Sequence, residues 1–203
     1  MSVLLGTWIV AEAQRRLTPN RYLAPAVNPV ELLVLHYTAG YSAASSVSWF
    51  LKPEAKASAH FVIERDGVVT QMAPLEDRTW HAGGGSSRWR GKAVNSRSIG
   101  IEIANLGPLK ADGRGGWIDV YGRAWRGTPF LDTSGRAWEP YPEAQIVAVL
   151  GLVAELKRRF PVLALHDEQP GQLPRICGHQ QTDPSRKIDP GPAWPWSRLR
   201  SLP

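Results

Sequence analysis

The residues best suited to chemistry in this 203-residue chain are gathered near its end. Ile176-Cys177-Gly178-His179 runs into Asp183, Pro184, Ser185, Arg186, Lys187, Ile188, Asp189, Pro190, Gly191 and Pro192, so an imidazole, an ammonium and a carboxylate share one turn-rich stretch. Pro and Gly constrain the backbone there, which suits a preorganised site better than a solvated surface. Far upstream, Glu31-Leu32-Leu33-Val34-Leu35-His36 is a short apolar run ending in a histidine. His36, His179 and Asp189 together offer two imidazoles and one carboxylate and leave a fourth position for water, the ligand count of a catalytic zinc and not of a closed structural one. The same residues also admit a purely structural reading, with His36 ending a strand, His179 hydrogen-bonded in a loop and Asp189 capping the final helix.

Other signals mark the elements that must position these groups. Residues 7 to 16 read as a helix carrying Trp8, Ile9, Ala11 and Leu17 inward, with Pro19-Asn20 and Pro25 forming an irregular link to a strand at 31 to 36. A short helix is expected from Ser45 to Leu51, stopped by Pro53. Strands at 60 to 64 and 68 to 72 flank Arg65-Asp66-Gly67, a hairpin signal. The stretch Gly83-Gly84-Gly85-Ser86-Ser87 is a loop without the strand, lysine and helix of a phosphate cradle. Pro142-Glu143 opens one long helix with Ile146, Val149, Leu150, Val153 and Leu156 at helical spacing, and Phe160-Pro161 ends it. Strands mixed with helices predict an α/β or α+β domain with a mixed sheet.

Glu102 stands out in the strand expected from Ser98 to Ala104. Ile99, Ile101 and Ile103 alternate with Gly100, Glu102 and Ala104, which places the carboxylate between two small residues on the face opposite the isoleucines. A lone charge in such a strand is costly unless it is paired or functional. A salt-bridged Glu on a half-wet sheet is the alternative.

Composition bounds the function classes. The chain has 24 Lys+Arg against 18 Asp+Glu, a formal charge of +6 that favours an anionic partner. The basic residues are dispersed, so Lys157-Arg158-Arg159 reads as a solvated surface, and no helix-turn-helix or zinc-finger spacing points to nucleic acid. A single cysteine, Cys177, excludes an intramolecular disulfide and a four-cysteine zinc site, and reads as a small buried hydrophobe. The N-terminal apolar run lacks preceding basic residues and meets Glu12 early, which makes it a poor signal peptide and too short to span a bilayer. Synthesis inside the cell without a signal peptide is therefore expected. Residues 106 to 141 hold Trp117, Tyr121, Trp125, Phe130, Trp138 and Tyr141 among Gly, Arg and Asp. Folded hairpins are expected there, with the aromatics either stacking on sugar rings or forming a small satellite core.

Five motifs in order carry a family resemblance: His36-Tyr37-Thr38; Ser58-Ala59-His60-Phe61-Val62-Ile63 with Asp66-Gly67; Trp80-His81-Ala82-Gly83; Ser98-Ile99-Gly100-Ile101-Glu102; and Gly178-His179 through Lys187-Ile188-Asp189-Pro190-Gly191-Pro192. From about residue 30 to about residue 196 the chain resembles the type 2, zinc-dependent N-acetylmuramoyl-L-alanine amidases. That family includes phage lysozyme-like amidases, bacterial recycling amidases and animal peptidoglycan-recognition proteins. The length and the lack of a long linker predict a single domain over 1–203, with a helical extension at about 1–28 and an aromatic-rich insertion at about 106–141. The resemblance implies a central mixed sheet flanked by helices, with a zinc groove on one face.

It further implies zinc on His36, His179 and Asp189, proton transfer by Glu102, oxyanion stabilisation by Lys187, and a groove for peptidoglycan or muropeptide lined by Tyr37, Trp80, His81 and Ala82. His60 is expected to pack on its hairpin and His166 to lie on the surface. Ala59 stands where the phage branch carries a tyrosine, so the Glu/Lys pairing looks closer to the recycling branch. Asp189 stands where several relatives use cysteine, which retains a ligand but changes its softness. The charge and the aromatic insertion nevertheless favour a phage or prophage lysin acting on a polymer. A cytoplasmic recycling amidase and a noncatalytic peptidoglycan-binding module are the alternatives.

Overall fold

The structure, a computed structural model, describes residues 7–22, 29–83, 88–89, 92–165 and 174–202, without the side chains of 88, 89 and 92. His166 and most of the glycine-rich loop lie outside the described residues. Five apolar segments form the central sheet: β1 (Leu32–Tyr37), β2 (Phe61–Ile63), β3 (Val69–Gln71), β4 (Ser98–Ile103) and β5 (Ile176–Gly178). Their order across it is β5-β1-β4-β2-β3. The first four are parallel to their neighbours, and β3 returns antiparallel to β2. Gly67 in the connecting turn adopts φ 89°, which a residue with a side chain resists. This is the mixed sheet that the alternating strands and helices predict.

Side chains alternate across each strand, and the two faces of the sheet differ. Between β1 and β2 runs α1 (Ala43–Phe50), and between β4 and β5 runs α2 (Glu143–Arg159). Leu33, Leu35, Phe61, Ile63 and the three isoleucines of β4 join Ile146, Val149, Leu152, Val153 and Leu156 of α2 in the main core. Leu150 is only partly buried, and Leu152 takes the place expected for it. On the opposite face, Leu32 and Val34 pack with Ala82, Val94 and Cys177. Val62 and Ala104 there pack with Ala43 and Phe50 of α1. That second face also carries His36 and Glu102.

The expected N-terminal helix is not formed. Among residues 7–22 the helical part is a single turn, Glu12–Gln14, and Ala11 is exposed. Arg16 N–H donates to Gln71 O and Thr18 N–H to Met72 O, so the segment runs along the open edge of β3. An edge strand's unpaired backbone groups outweigh the weak helical pattern. Residues 106–141 fold, as expected, into short antiparallel pieces: a three-stranded meander of Lys110–Ala111, Trp117–Ile118 and Ala124–Trp125, and a hairpin of Phe130–Leu131 with Ala137–Trp138. Their aromatics divide. Trp138 and Tyr141 are buried, whereas Tyr121 and Phe130 are exposed. No helix among the described residues is long and apolar enough to cross a membrane.

Candidate metal centre and active site

β1 continues the series Leu32, Val34 into His36 on one face, so the strand itself carries the imidazole to the end of the apolar run. β5 lies beside β1 with Cys177 opposite Val34 and Gly178 opposite Leu35. Its next residue, His179, opens the short helix α3 (His179–Thr182) and therefore stands next to His36. The chain then turns back. Gln180 N–H donates to Asp189 O at 3.0 Å, while Arg186 and Lys187 N–H groups donate to Asp183 O, closing the loop that carries Asp189.

Three atoms converge as a result. His36 Nδ1 lies 2.9 Å from His179 Nδ1, and each lies 3.0 Å from Asp189 Oδ2. All three residues are buried. Burial lowers His36 to about 4, so the ring is neutral at neutral pH. For Asp189 burial acts upward, but the imidazoles of His179 and His36 outweigh it and hold the carboxyl well below the usual carboxylate range. Two nitrogens and one oxygen thus lie around a single point, within reach of one divalent cation. The N/N/O donor set, drawn from the end of β1 and from the late turn-rich stretch, fits zinc with one position left open.

Glu102 pairs in register with His36 across β1 and β4, which sets the carboxylate beside the triad. The residue is partly exposed, yet its Oε2 is inaccessible and lacks a hydrogen-bond partner among the described residues. Burial first, and the Asp189 charge second, push its carboxyl up to about 8, with Lys187 acting in the opposite direction. A cavity of about 570 Å³ opens over these groups, reached by Lys187, Tyr37, Trp49, Tyr121 and Arg186.

The sequence profile of the N-acetylmuramoyl-L-alanine amidases matches residues 26–192, most of the chain and all of this site. The chain belongs to that family. The amidase is similar to the 1,6-anhydro-N-acetylmuramyl-L-alanine amidase AmpD of Citrobacter freundii, at 28% identity over 98% of this chain and 95% of the relative. A crystal structure of a selenomethionine AmpD derivative superposes with a TM-score of 0.65 at 27% identity, covering 96% of both chains. The Escherichia coli amidase AmiD, solved in complex with anhydro-N-acetylmuramic acid-L-Ala-D-gamma-Glu-L-Lys, superposes with a TM-score of 0.60 at 28% identity. The amidase covers 60% of that longer chain.

The four residues expected to line the substrate groove occupy different environments. Tyr37 reaches the cavity, and burial together with the Asp189 charge raises its hydroxyl to about 12. His81 also reaches it but directs both nitrogens inward, to His36 and to Ser98. Trp80 lines a separate cavity with Tyr22 and Arg78. Ala82 is fully buried among Leu32, Val34 and Cys177, so it presents no surface to a ligand and its expected place in the groove is corrected. The motif is held together by packing as much as by ligand contact. His60 is held outside the metal centre, by residues beyond its hairpin and not by the hairpin itself as expected: Nε2 donates to Asp77 O at 3.0 Å and Nδ1 accepts from Thr79 Oγ1.

Sequence reasoning missed Trp49 on the cavity wall and named Tyr121 only among the insertion aromatics, without placing it there. Tyr121 is the less expected of the two, because its hydroxyl donates to Ala39 O at 2.8 Å and so brings the 106–141 segment back across the rim. It also missed Tyr141, whose hydroxyl donates to Pro190 O beside Asp189. Neither contact has a local sequence signal, since each spans dozens of residues. Gly100 did carry one. A glycine inside a strand marks a close approach, and a Cβ there would lie 2.4 Å from the His81 ring.

Proposed function

We propose that this amidase is a zinc hydrolase whose substrates are soluble 1,6-anhydro muropeptides, in which it cleaves the amide between the lactyl group of N-acetylmuramic acid and L-alanine. The convergence of His36, His179 and Asp189 beside Glu102 at the floor of one cavity carries this reading. Held by these three ligands, zinc would supply Lewis-acid polarisation of the scissile carbonyl and a more acidic water.

The protein's own groups do the rest. Glu102 accepts the proton of the attacking water as its oxygen bonds to the carbonyl carbon, then passes that proton to the departing nitrogen of L-alanine as the C–N bond breaks. Burial and the Asp189 charge raise that carboxyl in the metal-free protein; a cation on the three ligands would act in the opposite direction and favour the ionised form that the accepting step requires. Lys187 offsets the negative charge that develops on the carbonyl oxygen. Tyr37, Trp49 and Tyr121 bound the space around the sugar and stem peptide.

Small substrates are favoured over an intact wall by two observations. The similarity to AmpD extends over nearly the whole of both chains. Tyr121 is fastened across the rim of the cavity, which narrows access for a polymer. The lysin reading rested on charge and on the aromatic insertion, and of the six aromatics there Trp138 and Tyr141 are buried and Trp117 and Trp125 half-buried. Mass spectrometry of products tests the choice. Faster release of peptide from soluble anhydromuropeptides than from intact sacculi is expected; efficient cleavage of sacculi with inert soluble fragments would return the protein to the lysin class.

A further inference from the structure

We propose that His81 and Ser98 form a one-way hydrogen-bond relay that fixes the tautomer of His36 and so turns its Nδ1 lone pair toward the metal. The inference rests on the zinc reading above and concerns how the ligand is prepared. Ser98 Oγ lies 2.6 Å from the carbonyl oxygen of Val94. A carbonyl only accepts, so the hydroxyl hydrogen must lie between these two oxygens. Ser98 Oγ therefore offers a lone pair to His81 Nε2, which is 2.9 Å away and must carry the hydrogen of that neutral ring. His81 Nδ1 is then an acceptor, and His36 Nε2, at 3.0 Å, must donate to it. One N–H remains to a neutral imidazole, so His36 Nδ1 is bare. That is the atom facing His179 Nδ1 and Asp189 Oδ2.

The opposite polarity fails at its far end. If Ser98 donated to His81, two oxygens without a hydrogen between them would sit 2.6 Å apart. It would also place the His36 hydrogen on Nδ1, donated to Asp189 Oδ2 and so on the atom that the metal needs. Strand β4 is built for the relay. Ser98, Gly100 and Glu102 share one face; Ser98 receives the His81 ring, Gly100 leaves the room that the ring fills, and Glu102 stands beside His36. His81 and Ser98 are positioning residues, since both act through His36. Partners of this kind commonly change metal affinity by about 10- to 100-fold.

The test reads the ring nitrogens of His36 by ¹⁵N NMR in metal-free protein at neutral pH, and zinc affinity by competition with a chelator. Wild type should show His36 as the Nε2–H tautomer. Ser98→Ala, which hardly alters volume, should mix the tautomers and weaken zinc by about 10-fold or more with its unfolding midpoint little changed. His81→Phe keeps a ring against Gly100 and should weaken zinc at least as much. An Nδ1–H tautomer in wild type overturns the relay, as does a Ser98→Ala protein with unchanged tautomer and unchanged zinc affinity. Failure of wild type to bind zinc would instead overturn the zinc reading, and the metal-free tautomer would still decide the relay.

Discussion

Ile99, Ile101 and Ile103 of β4 meet α2 in a largely apolar layer, while Ser98, Gly100 and Glu102 of the same strand meet His81, His36 and the cavity. One face of the strand gains stability by removing apolar surface from water. The other holds a carboxylate whose Oε2 is buried without a hydrogen-bond partner among the described residues, a cost in stability that a catalytic role would explain. A protein that keeps such an arrangement on a two-sided strand separates what holds the fold from what does the chemistry, at alternating positions one residue apart. Substitutions on the two faces should therefore have different signatures.

The largest effect belongs to the ligands. His36→Ala or His179→Ala should abolish turnover together with zinc retention, measured by elemental analysis alongside product release, because two donors do not hold a catalytic zinc. Variants that keep both would remove the triad from the account. On the apolar face, Ile101→Ala should lose about 2–5 kcal/mol of stability in denaturant unfolding, while turnover per folded molecule stays near wild type. A drop in that turnover with zinc retained would break the separation of the faces.

A smaller effect depends on pH. In the metal-free protein the Glu102 carboxyl stands at about 8, above its ordinary 4.5. The native state then keeps a proton that the unfolded chain has released, so this contribution is complete below the ordinary value and disappears as pH rises through the raised one. The stability of wild type relative to Glu102→Gln should fall between about pH 5 and about pH 8; a difference that stays flat would place the carboxylate in water. Smallest of all, Tyr141→Phe should cost about 1 kcal/mol by freeing Pro190 O, with a modest loss of zinc affinity. A neutral change would show that the 106–141 segment does not brace the metal loop.

Much of this was legible in the sequence because period-2 patterns and turn residues act locally. The strand ending at His36, the Asp66-Gly67 hairpin, the β4 alternation and the bounds of α2 all follow from neighbours along the chain. The place of Glu102 next to His36 depends on strand order, which a single strand does not encode. Residues 7–16 misled because their apolar spacing fits a helix, while the bonds available at the edge of β3 lie more than fifty residues away. The Trp80-His81-Ala82 motif was readable as important but not as to why. Its central imidazole faces His36 and its alanine faces the core, and only the tertiary packing separates those roles.

The central claim is that Glu102 transfers the proton while His36, His179 and Asp189 hold the metal. Zinc content and amidase turnover of Glu102→Gln, measured on one sample, test it directly. The account predicts about one zinc per chain, as three such ligands require, with turnover lower by about 10²-fold or more. Near-normal turnover with zinc in place would contradict it and leave Glu102 as a residue of the sheet alone.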